Sequence, residues 1–367
     1  MKLIDKHILG DVVPAFVLGV ILFAGFIWIA GGPLLNAVND LALGIPFWIV
    51  AQLISLYLPP MLVLAFPMAI LIAVILGFNR LSAESEAVAM FASGVSFYRM
   101  LIPTGGFALL VTILGLVINN SIVPAANSRI SYIKANVIHD VSETPEPFPL
   151  PPVRYSNHDI QALVWCDGGY DQVRQAMRQV TIIEYDPVTH RPAMTIWALQ
   201  AQWQSGSSWQ LQDGQVTYRN GVAFAFKTLA THDIKQEPST VEFLEEDPDN
   251  LSFAQLARRI VALKRSGGST SSSLRAAEVN LYEKIALPCA SFVFALVGAP
   301  LALKPQRTAS RGAASAYGVL IILAYYALFK YLDIAGSSGH IDPELAAFLP
   351  NLLGIGLAAY LISKVTT

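Results

Sequence analysis

The residues best suited to act on a partner lie in one short stretch, 79–96, NRLSAESEAVAMFASGVS. Arg80, Glu84 and Glu86 fall close together there, and the chemistry they offer is ionic pairing and hydrogen bonding, not bond-making. Ser82 is expected to cap a short helix, with Glu84 and Glu86 in its first turn where the helix dipole favours carboxylates. Val88, Met90, Phe91 and Ala92 give that helix an apolar side, and Gly94 ends it. Such a helix suits a groove on a soluble protein, and equally the surface of a bilayer.

Groups for covalent chemistry do not assemble. The six histidines stand at 7, 139, 158, 190, 232 and 340, with none at metal-ligand spacing. No G-x-x-x-x-G-K-[ST] phosphate loop, H-E-x-x-H or G-x-S-x-G pattern occurs. The two cysteines, Cys166 and Cys289, read into different compartments and serve as small apolar residues. The chain is therefore read as non-catalytic, with no metal and no cofactor of its own. Lys284 and Lys330 sit near the ends of apolar runs, where charge is expensive and often functional. Each is a candidate for an anionic head group, or for simple snorkelling to the interface, and Lys330 has Asp333 one turn away. Trp28, Trp48, Tyr57, Tyr325 and Tyr326 either line a lipid path or form the interfacial belt and helix packing.

These residues must be positioned by membrane helices. Of the 367 residues, 54% are hydrophobic and 14% charged, against about 25% charged in a soluble domain. The net charge of −2 argues against a nucleic-acid partner. Six runs reach the length of a bilayer span: 12–31, 47–78, 100–122, 282–303, 313–333 and 345–363. The first reads as retained, with no cleavage site after it. The second carries Pro59, Pro60 and Pro67 and is expected to be kinked. Paired intramembrane carboxylates of the ion-coupled kind are missing, which disfavours a secondary transporter. Eight Lys and Arg (Lys2, Lys6, Arg80, Arg99, Lys304, Arg307, Arg311, Lys364) lie on one side of these spans, while loops 32–46 and 334–344 have none. Both termini are thus expected in the cytoplasm and segment 123–281 outside it, since long domains translocate regardless of charge.

That segment alternates. Residues 141–152, VSETPEPFPLPP, read as an extended linker. Ile160, Ala162, Val164 and Cys166 share one face of a strand. Further strands are separated by turns at Asp186-Pro187, Asp213-Gly214 and Asn220-Gly221. Trp165, Trp197, Trp203 and Trp209 are expected in the core of an open sandwich or jelly roll, whose apolar inner face would suit acyl chains. Residues 251–265 read as an amphipathic helix and 267–273 as a flexible linker. The expected organisation is 1–122 with helices one to three and a surface helix at about 80–94, 123–275 as the β-rich domain, and 276–367 with helices four to six.

Taken in order, these motifs resemble the LptF/LptG permease family (YjgP/YjgQ). The resemblance is carried by Arg80-Leu-Ser…Ser85-Glu86…Met90…Ala92-Ser-Gly94, Val123-Pro124-Ala-Ala-Asn127 and Ala201-x-Trp203…Trp209-x-Leu211-x-Asp213-Gly214. Leu287-Pro288, Gly298-Ala-Pro300, Gly318…Tyr325-Tyr326 and Phe348-Leu-Pro350-Asn351 continue it. It implies a six-helix membrane protein with a periplasmic β-jellyroll, in the inner membrane. It also implies a second permease copy or paralogue, a cytoplasmic ABC ATPase dimer that binds ATP and Mg, and a periplasmic jellyroll bridge protein. The cargo would be lipopolysaccharide or a related glycolipid. By that resemblance Glu86 contacts the ATPase, with Glu84 beside it, while Arg80, Met90 and Gly94 shape the docking helix. Residues 31–44 depart from the family in having no base and one acid, Asp40, and Tyr282-Glu-Lys284 stands where the family often has arginine. The alternative reading is a membrane-anchored scaffold whose β-domain binds a periplasmic protein and moves no lipid.

Overall fold

The computed structural model describes residues 3–42, 44–137, 148–154, 160–171, 176–186, 189, 191–204, 208–231, 251–265, 272–303 and 313–366. The contacts divide the chain into a helical unit, Met1–Ile138 with Val279–Thr367, and a second unit, His139–Glu278.

The helical unit holds the spans. α1 (Leu3–Ala30) is followed by a short amphipathic α2 (Pro33–Ala42), then α3 (Phe47–Ala83), α4 (Glu86–Ala92) and α5 (Phe97–Val117). A π-helical turn, Ile118–Ile122, carries α5 directly into α6 (Val123–Val137). After the inserted segment come α8 (Ser272–Ala302), α9 (Ala313–Ser337) and α10 (Pro343–Thr366); α7 (Phe253–Arg265), which precedes them in the chain, belongs to the second unit. Six helices are long and apolar enough to cross a membrane. They run longer than the apolar stretches alone. The third does not stop at 122 but continues past Pro124, because the chain widens to a π turn just before the proline; the Val123 N–H reaches Ile118 O.

α3 is the hub. Of its most apolar stretch 72% is buried, against 17% for α1 and 28% for α9. Ile70, Leu71, Val74, Ile75 and Phe78 of α3 have no exposed surface. Small residues let neighbours approach, as membrane packing requires. A Cβ on Gly298 of α8 would stand 3.2 Å from Leu71 O, and one on Gly77 of α3 would stand 2.9 Å from Val12 Cγ2 of α1. Prolines 59, 60 and 67 all sit inside α3. Near Pro67 the Tyr326 hydroxyl donates to Leu64 O at 2.8 Å, the kind of cross-helix bond that makes a membrane proline tolerable.

The second unit contains, among the described residues, one seven-stranded antiparallel sheet: β1 (Phe148–Arg154), β2 (Ile160–Cys166), β3 (Tyr170–Asp171), β4 (Ala176–Tyr185), β5 (Pro192–Gln204), β6 (Ser208–Tyr218) and β7 (Ala223–Thr231). The order β1-β2-β4-β5-β6-β7 is a meander, with β3 paired to β4. Residues 148–152 are therefore a strand and not linker. Among the described residues β1 pairs only with β2, and its register slips between Leu150 and Val153 where two prolines cannot donate.

The sheet has an inversion that simple alternation does not anticipate. Ile182, Val180, Ile196 and Ala198 are buried, and so are Met177, Ala201 and Leu211, whose numbers have the opposite parity. The switch falls on one row, between the pairs 178/200 and 180/198, 200/212 and 198/214, and 212/228 and 214/226, so that it takes in residues 179, 199, 213 and 227. Gln179 and Asp213 take left-handed backbone there, with φ of 52° and 48°. Asp213-Gly214 is thus an interior feature of β6 rather than a turn. A Cβ on Gly214 would lie 2.2 Å from Trp197 O, so only glycine fits. Asn220-Gly221 does form the β6–β7 turn, with Gly221 at φ 81°. Trp209 is fully buried and packs edge-to-face on Trp203 at 5.3 Å. Trp197 faces outward, because its neighbours Ile196 and Ala198 face in. Within α8, Ser272 and Ser273 are helical; residues 141–147, 232–250, 266–271 and the basic loop 304–312 lie outside the described residues.

Candidate functional site

Residues 80–96 form a compact corner between α3 and α5. α3 continues through Ser82 to Ala83, so Ser82 caps nothing. Its last turn closes on Glu84, whose N–H bonds Arg80 O at 3.0 Å. Ser85 then takes left-handed backbone, φ 60°, and reverses the chain. α4 starts at Glu86, with no side-chain cap from Ser85. Glu86 is therefore its first residue, where a carboxylate meets the positive end of the helix, while Glu84 lies before the helix. The far end is a Schellman cap: Gly94 N–H bonds Phe91 O and Val95 N–H bonds Met90 O, each at 3.0 Å, with Gly94 at φ 83°. Ser96 then caps α5 through Arg99 N–H.

α4 divides its side chains cleanly. Ala87 is buried, and Met90 is half-buried against the α1–α3–α5 core. Val88, 64% exposed, and Phe91, 39% exposed, face away from the bundle. Met90 thus anchors the helix, and Val88 and Phe91 supply its free apolar contact. The sequence places both on the apolar side of the helix together with Met90; the structure separates them, because Met90 turns into the core while Val88 and Phe91 stay exposed.

Charged side chains tie this corner to the start of α1. Arg80 pairs with Asp11 and, through Nε at 3.0 Å, with Glu84. Glu86 Oε2 lies 2.7 Å from His7 Nε2. Arg99 Nη2 lies 2.6 Å from Asp5 Oδ1. Arg80, Glu84, Glu86, Met90 and Gly94 are therefore brought together, and His7, Asp11 and Asp5 join them.

The residues singled out for lipid stand in different settings. Lys284 is 8% exposed in α8. Its carbonyl has lost its usual helical donor, because residue 288 is proline. Asn119, in the π turn, donates to that carbonyl at 3.1 Å. One turn of α8 is thus held from two sides, since Asn351 of α10 donates to Ala286 O at 2.7 Å. Tyr325 in turn donates to Asn351 Oδ1 at 3.0 Å and packs its ring against Phe294, Tyr326 and Phe329. Its ring and hydroxyl are engaged inside the bundle. Lys330 is exposed and pairs with Asp333 at 3.0 Å. Trp28 is half-buried near the end of α1, and its Nε1 has no hydrogen-bond partner among the described residues. Cys289 lines an apolar cleft of about 290 Å³ between α5, α8 and α10. Among the described residues no group of three or more His, Cys, Asp or Glu could hold a metal ion.

Comparison with known proteins bears on this arrangement. The model of the family described as "Lipopolysaccharide export system permease LptF/LptG" matches residues 6–364. The chain is also similar to the uncharacterized protein RP871 of Rickettsia prowazekii, at 26% identity over 147 residues. That match spans 39% of this chain and 40% of the Rickettsia protein.

Proposed function

The chain belongs to the LptF/LptG family of lipopolysaccharide export permeases, and from that membership we propose that it is the non-catalytic membrane subunit of an ATP-driven lipid exporter. In this reading a cytoplasmic ABC ATPase dimer, which binds the ATP and Mg, docks on residues 80–94. A second permease, either a copy or a paralogue, packs on this one. The apolar faces left open on α1 and α9 support that pairing. Lipopolysaccharide or a related glycolipid leaves the outer leaflet of the inner membrane, enters the β-rich unit and passes to a periplasmic jellyroll bridge. Lys284, Lys330 and Trp28 are proposed contacts for the cargo.

The observation that carries the docking half is the α4 corner. It is a short helix presenting Val88 and Phe91 beside two carboxylates, capped at its C-terminus and anchored by Ala87 and Met90. An exposed apolar pair rimmed by charge is what a soluble groove recognises. The observation behind the lipid half is the apolar buried face shared by β2, β4, β5 and β6.

The test is co-purification from native membranes in detergent, wild type beside Glu86→Arg, with ATP hydrolysis assayed in the eluate. An ATPase should elute with wild type and be lost from the variant. No ATPase with either form would move the scaffold reading ahead.

A further inference from the structure

We propose that His7 is the positioning residue for the docking carboxylate Glu86, so that the first turns of span one form part of the docking unit. The inference rests on the reading of Glu86 as an ATPase contact.

α4 has seven residues, too few to be stable alone. Its C-terminal end is fixed by the Gly94 cap and its underside by Ala87 and Met90. Its N-terminal end has no side-chain cap. The contact made there is His7, whose ring Nε2 lies 2.7 Å from Glu86 Oε2. A carboxylate can only accept, so the imidazole donates. One carboxylate oxygen is held by His7, and the half-exposed group still faces solvent.

The helix that carries His7 is firmly seated on α3. A Cβ on Gly19 would stand 3.2 Å from Ala69 Cα, and Gly77 meets Val12 as closely as a glycine allows. The same first turns of α1 reach Arg80 through Asp11 and Arg99 through Asp5. One helix therefore contacts each of the three elements that make the corner. A partner that pulls on Glu86 pulls on α1, and α1 is the span least buried within this chain.

The experiment measures ATPase retained per permease in the detergent-purified complex for His7→Ala, His7→Gln, Glu86→Gln, the double variant His7→Ala/Glu86→Gln, Glu86→Arg and, as control, a substitution at the exposed His340, His340→Ala. An exposed pair of this kind predicts a roughly threefold loss for His7→Ala. Recovery is expected in His7→Gln, which keeps a donor, with no further loss when His7→Ala is added to Glu86→Gln. His340→Ala should behave as wild type. Full retention by His7→Ala alongside loss in Glu86→Arg would overturn the inference and leave the docking site standing. Loss in His7→Ala that is equal in the Glu86→Gln background, or that His7→Gln does not recover, would also overturn it by making His7 merely structural. Retention in Glu86→Arg would remove the docking reading itself, and the inference with it.

Discussion

At the scale of single residues, the most informative groups are the polar ones inside the spans. Asn119 and Asn351 do little that composition reveals, yet each donates to a carbonyl of α8 within two turns of Pro288. Pro288 was readable as a helix breaker, and with it an orphaned carbonyl at position 284. Which side chain satisfies that carbonyl depends on helix packing, which no linear pattern records. Replacing Asn119 by Ala leaves the carbonyl without its donor, and the cost expected for a buried orphan is about 1–3 kcal/mol. Thermal unfolding in detergent should show Asn119→Ala clearly less stable than wild type. Tyr325→Phe, which removes one hydroxyl donor and keeps the ring, should cost about 1 kcal/mol on the same measurement. Equal melting of all three proteins would mean that these bonds do not hold α8. Glu86 and Arg80 stood out in the sequence because they are charges in a short loop; their partners His7 and Asp11 lie 79 and 69 residues earlier, beyond any local reading.

At the scale of elements, the sequence announced the spans and most strands but not their limits or their breaks. The six apolar runs locate six helices correctly, because about 20 apolar residues have few other fates. The helices overrun those limits because a hydrogen-bonded backbone continues into water wherever no breaker stops it. α6 and the last turns of α3 are such continuations. Strand alternation located β2 and β4, yet the pleat inversion at residues 179, 199, 213 and 227 was hidden, since Asp-Gly reads as a turn. Gly214 makes the test. A Cβ there meets Trp197 O at 2.2 Å, and Gly214→Val should destabilise the sheet unit by more than about 2 kcal/mol. Limited proteolysis of the intact protein should then cut within 176–231, where wild type resists; unchanged resistance would contradict the inversion. Gly94 makes a second test of a different kind. Its Cβ would meet no atom, so Gly94→Ala strains only the left-handed backbone, by about 1 kcal/mol. The fold should survive, and retention of the ATPase should fall a few-fold. Retention equal to wild type would show that the cap does not shape the docking helix.

At the scale of the whole molecule, the family relationship and the helix count agree on a multi-pass permease with an inserted β-rich unit. Composition made that legible from the start, and the ordered motifs made the family legible. Orientation rests on the basic side of the spans, part of which, 304–312, lies outside the described residues. We propose cytoplasmic termini and a periplasmic sheet. Cysteine substitutions at Ser363 and Thr189 should be labelled by a membrane-impermeant thiol reagent from opposite sides of sealed inner-membrane vesicles, and labelling from one side would contradict that orientation. We propose that the chain moves lipid through its β-rich unit under ATP. A photo-crosslinking amino acid at Ile196, on the buried face of β5, is compared with one at the outward-facing Trp197, in proteoliposomes holding the whole complex and lipopolysaccharide. The account predicts a lipopolysaccharide adduct at 196 that accumulates with ATP and is weak at 197. No adduct at 196, or one that forms equally without ATP, would contradict it.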